Sequence, residues 1–135
     1  MPTTVPFALS LLLALASAGC AAKPAGREQP HAVTTTIRLV ERALRPASNV
    51  TIPTMSQVVF HNDTLRVAMV AIESSACPAC AGVVGFAAAA GGVRSAPIPP
   101  GGFAALCFHA PGRHAFAFAA AGNDQRGVIT VDAAK

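Results

Sequence analysis

Pro99-Pro100-Gly101-Gly102-Phe103-Ala104-Ala105-Leu106-Cys107-Phe108-His109-Ala110-Pro111-Gly112-Arg113-His114-Ala115-Phe116-Ala117-Phe118 is the stretch on which the reading of this chain turns. Pro100-Gly101-Gly102 and Pro111-Gly112 are turn signals, with proline presetting φ and glycine admitting a positive one. A short apolar run stands between them and a second run follows, which predicts two adjacent antiparallel strands. Successive strand side chains face opposite sides, so Leu106 and Phe108 share one face and Cys107 and His109 the other. With the large apolar groups on the core side, the outer face is left to a thiol and an imidazole. Upstream, Cys77-Pro78-Ala79-Cys80 brings two more thiols. The functional question is whether these groups meet.

Outward from this stretch the signals are short and β-like. Val33 to Val40 is rich in β-branched residues and puts Ile37 and Leu39 on one face. Glu41 to Arg45 suits a helical turn that Pro46 stops. Val50-Thr51-Ile52 and Gln57 to His61 are brief strands, the latter closed by the turn formers Asn62-Asp63. Leu65 to Ile72 is expected as its hairpin partner, with Leu65, Val67 and Met69 on one face. Val83 to Phe86 reads as a strand, and Ala87 to Ala90, flanked by glycines, as a loop. Val93 to Ile98, Phe103 to His109, His114 to Phe118 and Gly127 to Val131 complete the series. Seven to eight short strands punctuated by turns imply an all-β sandwich or barrel.

Composition sets the wider bounds. The 135 residues carry a formal charge of +4, but the cations are scattered and the chain has no Trp or Tyr. Nucleic-acid recognition needs clustered cations, often with stacking aromatics, so a nucleic-acid partner is excluded. Phe7 to Ala16 is an apolar run too short for a bilayer span, and Ser17-Ala18-Gly19 then leads to Cys20. This arrangement resembles a bacterial lipoprotein signal, in which the cysteine becomes the lipidated first residue. No Lys or Arg precedes the apolar run, and Ser17 stands where that family usually has Leu. The resemblance implies a signal peptide over residues 1–19 and lipidation at Cys20. A flexible tether over residues 20–32 then leads to one domain over residues 33–135, in a cell envelope and anchored to its membrane. A plain cleaved signal that leaves Cys20 as a thiol is the alternative.

Val50-Thr51-Ile52-Pro53 followed by Val58 to Thr64 resembles the part of blue-copper proteins where a strand and turn approach the first histidine ligand. Pro100-Gly101-Gly102 followed by Pro111 to Phe116 resembles that family's approach to its copper loop, and Gly127 to Val131 its closing strand. The resemblance implies a cupredoxin-like Greek-key β-sandwich. It departs from the family at the metal. A type 1 copper site needs two His and one Cys, usually with a weak axial Met. Arg66, Val67 and Ala68 stand where the first histidine belongs, and Phe118 where the cysteine belongs. The loop from Ala119 to Arg126 holds no Cys, His or Met. No type 1 copper is expected.

A second constellation remains. Cys77 and Cys80 share one tight turn stiffened by Pro78. Cys107 and His109 lie about 6.6 Å apart along one strand face, close enough to reach one ion. Cys77, Cys80, Cys107 and His109 together make a Cys₃His set, which suits Zn²⁺ or Cu(I). Two other readings stay open: a disulfide with one buried cysteine left over, giving a structural or interaction module without metal, and a redox-active pair. Lipidation of Cys20 leaves an odd number of thiols, which tells against pairing alone. His31 falls in the tether. His61 is expected to bond the backbone beside its turn, and His114 to sit on a sheet face. Glu73 reads as a solvated rim charge. No Ser/His/Asp order and no paired carboxylates point to an enzyme.

Overall fold

Strand formation is plainest in Ser56–Asn62, where Ser56, Val58, Phe60 and Asn62 are buried while Gln57, Val59 and His61 between them are half-buried. The computed structural model describes residues 33–73 and 83–133. The expected signal peptide, Cys20 and tether, and the turn holding Cys77 and Cys80, lie outside the described residues.

Ten strands follow in order: β1 (Thr34–Val40), β2 (Ala43–Arg45), β3 (Asn49–Pro53), β4 (Ser56–Asn62), β5 (Ala68–Glu73), β6 (Phe86–Ala89), β7 (Gly92–Ser95), β8 (Phe103–Phe108), β9 (Gly112–Ala120) and β10 (Asn123–Asp132). They form a four-stranded sheet, β2-β1-β4-β8, and a six-stranded sheet, β3-β10-β9-β5-β7-β6. Each is mixed, with β1 and β4 parallel in one and β3 and β10 parallel in the other. The expected all-β sandwich is therefore present, with ten strands rather than seven or eight. None of the described residues forms a helix long and apolar enough to cross a membrane.

The two sheets enclose one core. Ile37, Leu39, Val58, Phe60, Leu106 and Phe108 enter it from the smaller sheet, and Val70, Ile72, Phe116, Phe118, Ile129 and Val131 from the larger. Phe60 is its centre. Its ring meets Phe116, Phe118 and Phe86 edge-on, at centroid distances of 5.5, 5.7 and 5.9 Å. Such pairs add about 0.5–1.5 kcal/mol each beyond the area they bury.

Several local expectations are corrected. β8 and β9 do not form a hairpin: β8 pairs with β4, and β9 with β10 and β5. Side by side in one sheet, their apolar faces would need another layer to cover them. In opposite sheets they cover each other, and Pro111 carries the chain across between them. β5 likewise pairs with β9 and β7 rather than with β4. Its buried residues are Ala68, Val70 and Ile72, so Leu65 and Val67 lie exposed; a shift of phase by one residue exchanges the faces of a strand. Ala43–Arg45 is a strand instead of a helical turn, because Leu44 pairs with Leu39 and joins the core. Ala87 to Ala89 is strand rather than loop. The backbone ladder to β7 holds it at the sheet edge despite the weak strand preference of alanine.

Candidate functional site

Alternation along β8 places Leu106 and Phe108 in the core and Cys107 on the other face. The open outer face that the sequence predicts for Cys107 is not found. Cys107 is 0% exposed and Ala105 is 2% exposed. At the outer edge of β8 the sheet is continued by Val84, which exchanges two backbone hydrogen bonds of 2.9 Å with Ala105. Cys107 is disulfide-bonded. The other cysteines of the chain are Cys20, Cys77 and Cys80, so its partner lies outside the described residues. His109 is exposed and follows the last residue of β8. Of the four expected ligands, the structure thus describes Cys107, oxidised, and His109, solvent-facing. The described residues include no group of three or more metal-ligating side chains.

A different cluster forms at the turn between β9 and β10. Gly122, with φ at +75°, allows the tight reversal from Ala120 to Asn123. Three segments converge there. Arg66 donates from a guanidinium N–H to the carbonyl of Ala121 at 3.0 Å, and Asn123 donates from Nδ2 to the carbonyl of Val40 at 3.0 Å. The bend carrying Arg66 is itself fixed by buried Asn62, whose Nδ2 donates to the carbonyls of Arg66 (2.7 Å) and Ile98 (2.9 Å). Between these segments opens a cavity of about 490 Å³, its charged lining being Glu41, Arg42, Arg66 and Asp124. The sequence reading missed it, because its residues come from three separated turns and form no motif.

On the outer face of the smaller sheet, Asp63 accepts two hydrogen bonds from one guanidinium nitrogen of Arg38, at 2.8 and 3.1 Å. His61 Nδ1 lies 2.7 Å from the Asp63 carboxylate, an ion-pair distance without the alignment of a good hydrogen bond. His61 thus meets a side chain rather than the backbone expected of it. The Arg38 hydrogen bond, opposed by partial desolvation and aided by the charges of Arg38 and His61, holds the Asp63 carboxyl below its ordinary value of 3.8. His114 turns inward, 6% exposed, with its ring 5.0 Å from Phe108. Glu73 is exposed at the end of β5, as a rim charge should be.

Solved structures share this arrangement of sheets. The Cu(I) form of a methionine-to-alanine variant of amicyanin superposes with a TM-score of 0.54 at 9% identity, over 73% of this chain and 82% of that one. An oxidised methionine-to-leucine variant of amicyanin gives 0.51 at 13% identity, over 73% and 81%. The fold is cupredoxin-like. No protein-family model and no curated protein matches the chain.

Copper in this fold can be tested against the side chains present. A type 1 site wants imidazole and thiolate donors. Phe118, at the position expected for the cysteine, is 0% exposed and packs on Phe60. Val67 and Ala68 offer no donor, and Arg66 holds a permanent cation against the β9–β10 turn. The cavity lining contains carboxylates, guanidinium groups, amides and a hydroxyl but no thiol, imidazole or thioether. This donor set does not fit type 1 copper.

Proposed function

We propose that this chain is a lipid-anchored protein of the bacterial cell envelope whose cupredoxin-like domain is a disulfide-stabilised interaction module without enzymatic activity. One observation carries the reading. The sulfur of Cys107 is buried and already bonded to another sulfur, and a metal binds the thiolate, not the disulfide. Disulfides persist in oxidising, extracytoplasmic compartments, which agrees with the secretory leader and with Cys20 as the lipidated residue. The donor set at the β9–β10 turn supports the exclusion of type 1 copper from the proposal. Partners in this reading are the membrane, through the anchor, and a protein, with no nucleic acid.

His109 favours a second reading. It is exposed just beyond β8 and two residues from Cys107, so in a reduced protein it would stand ready to join Cys77, Cys80 and Cys107 around Zn²⁺ or Cu(I). One experiment separates the two. Mass spectrometry of the untreated protein, followed by elemental analysis before and after full reduction, is expected to find one disulfide and no stoichiometric metal in either state. One equivalent of metal after reduction, lost on replacing Cys107 by Ser, would install the Cys₃His reading instead. Membrane association that survives Cys20→Ala would remove the anchor from the proposal.

A further inference from the structure

We infer that the cavity at the β9–β10 turn is a binding site for a small zwitterion, an α-amino acid. The inference is independent of the disulfide and of any metal.

Its volume, about 490 Å³, falls in the range of small-molecule sites. Its walls are set before any ligand arrives. Asn123 ties the β9–β10 hairpin to the end of β1, Arg66 ties the bend after β4 to Ala121, and Gln125 Nε2 donates to Asn123 Oδ1 at 2.8 Å. Preorganised walls lower the ordering cost of binding. The neutral polar groups of the lining are largely spent within the protein. Thr64 Oγ1 lies 2.7 Å from Asn62 Oδ1 and accepts from the Arg66 backbone N–H at 3.2 Å, and both ends of the Asn123 amide are engaged.

The charged groups are left to recognise a ligand. Arg66 uses one of its five N–H donors on Ala121 and keeps the rest. Arg42 supplies a second guanidinium, while Glu41 and Asp124 supply two carboxylates. Asp124 has Arg126 at 3.8 Å, but both side chains are more than half exposed, and such a pair is worth little. A simple anion in this cavity would face the carboxylates, and a simple cation the guanidinium groups. A zwitterion satisfies both, its carboxylate on the arginines and its ammonium shared between Glu41 and Asp124. Ala120, Ala121 and Gly122 are the apolar part of the lining, which leaves room for a small or polar side chain but offers no aromatic or large aliphatic contact.

Isothermal titration of the full chain with L-serine and L-glutamine tests this, with acetate and methylammonium as single-charge controls. At least one of the two amino acids is expected to bind, at least about tenfold more tightly than either control. Glu41→Gln and Arg66→Gln should each weaken that binding about tenfold, while Arg94→Gln, on the far strand β7, leaves it unchanged. Glu41 sits in an exposed turn, so its amide variant keeps the fold even if the Arg66 variant does not. Acetate binding as tightly as the amino acids, indifference to Glu41→Gln, or no binding of either amino acid at millimolar concentration would overturn the assignment.

Discussion

Asn62 Oδ1 accepts hydrogen bonds from both the backbone N–H and the hydroxyl of Thr64, at 3.0 and 2.7 Å. The hydroxyl has a single proton, so the longer contact from Oγ1 to the Arg66 carbonyl, at 3.0 Å, is the lesser one. With Nδ2 donating to the carbonyls of Arg66 and Ile98, Asn62 links the bend after β4 to the residue leading into Pro99-Pro100. Asn62 is 0% exposed, and its contacts with Ile98 and with both groups of Thr64 are buried. Its removal therefore takes a hydrogen bond from each of these groups at a place away from water, the Ile98 carbonyl keeping the Ala68 N–H.

Asn62→Ala is therefore expected to lower stability by at least about 2 kcal/mol, since each stranded buried group costs about 1–3 kcal/mol. Asn62→Asp should be no milder, because it turns an oxygen toward two carbonyl oxygens that need a donor. Urea unfolding of both variants measures this. An aspartate variant as stable as the parent would mean that water reaches the site.

Phe60 should be the costliest single truncation in the core. It contacts three aromatic rings on two strands, Phe86 on β6 and Phe116 and Phe118 on β9. Phe60→Ala removes all three contacts and opens a cavity between the sheets, for which about 3–5 kcal/mol is the usual loss. In a domain of this size that lowers the melting temperature by more than about 10 °C. A calorimetric shift of only a few degrees would show that the sheets close over the gap.

Much of the sandwich was legible because its strands carry a period of two. Val58 and Phe60, or Phe116 and Phe118, declare a buried face wherever the partner strand lies. Partners were less legible. The sequence around Pro111-Gly112 reads as a hairpin turn, yet the same residues connect two sheets, and only the need of two apolar faces to cover each other decides between these. The phase of β5 was missed because Leu65, Val67 and Met69 are larger than Ala68, which the core nonetheless takes. At the site, oxidation of Cys107 was one of the alternatives left open by spacing. The cavity was illegible, because Glu41, Arg66 and Asp124 come together only once three turns have been placed by the fold.

Acid should expose the role of Asp63. Its carboxyl is held below 3.8, chiefly by the hydrogen bond from Arg38. A depressed folded-state value means stability that is fully present above the unfolded value and is lost as pH falls through the folded one. Unfolding followed from pH 6 downward should therefore show the parent losing stability below about pH 4. Asp63→Asn should start lower and lose less over that window. Parallel curves for the two proteins would mean that the Arg38 pairing, half-exposed as it is, contributes nothing measurable.

The last prediction concerns which cysteine holds Cys107. If Cys20 carries lipid, the partner is Cys77 or Cys80, and either choice closes a loop of about 30 residues. Constraint of the unfolded chain by such a loop is worth about 3–4 kcal/mol. Reduction, or Cys107→Ala, should lower stability by that order, whereas Cys20→Ala should leave it unchanged. Non-reducing peptide mapping should join the Cys107 peptide to the peptide containing Cys77 and Cys80, with one free thiol remaining in that peptide. That thiol stands close in sequence to the bond, so alkylation before denaturation should be needed to prevent exchange between the two pairings. A Cys107 peptide linked to Cys20 would refute both the pairing and the lipid anchor at once, because a thioether-bound sulfur has no disulfide to give.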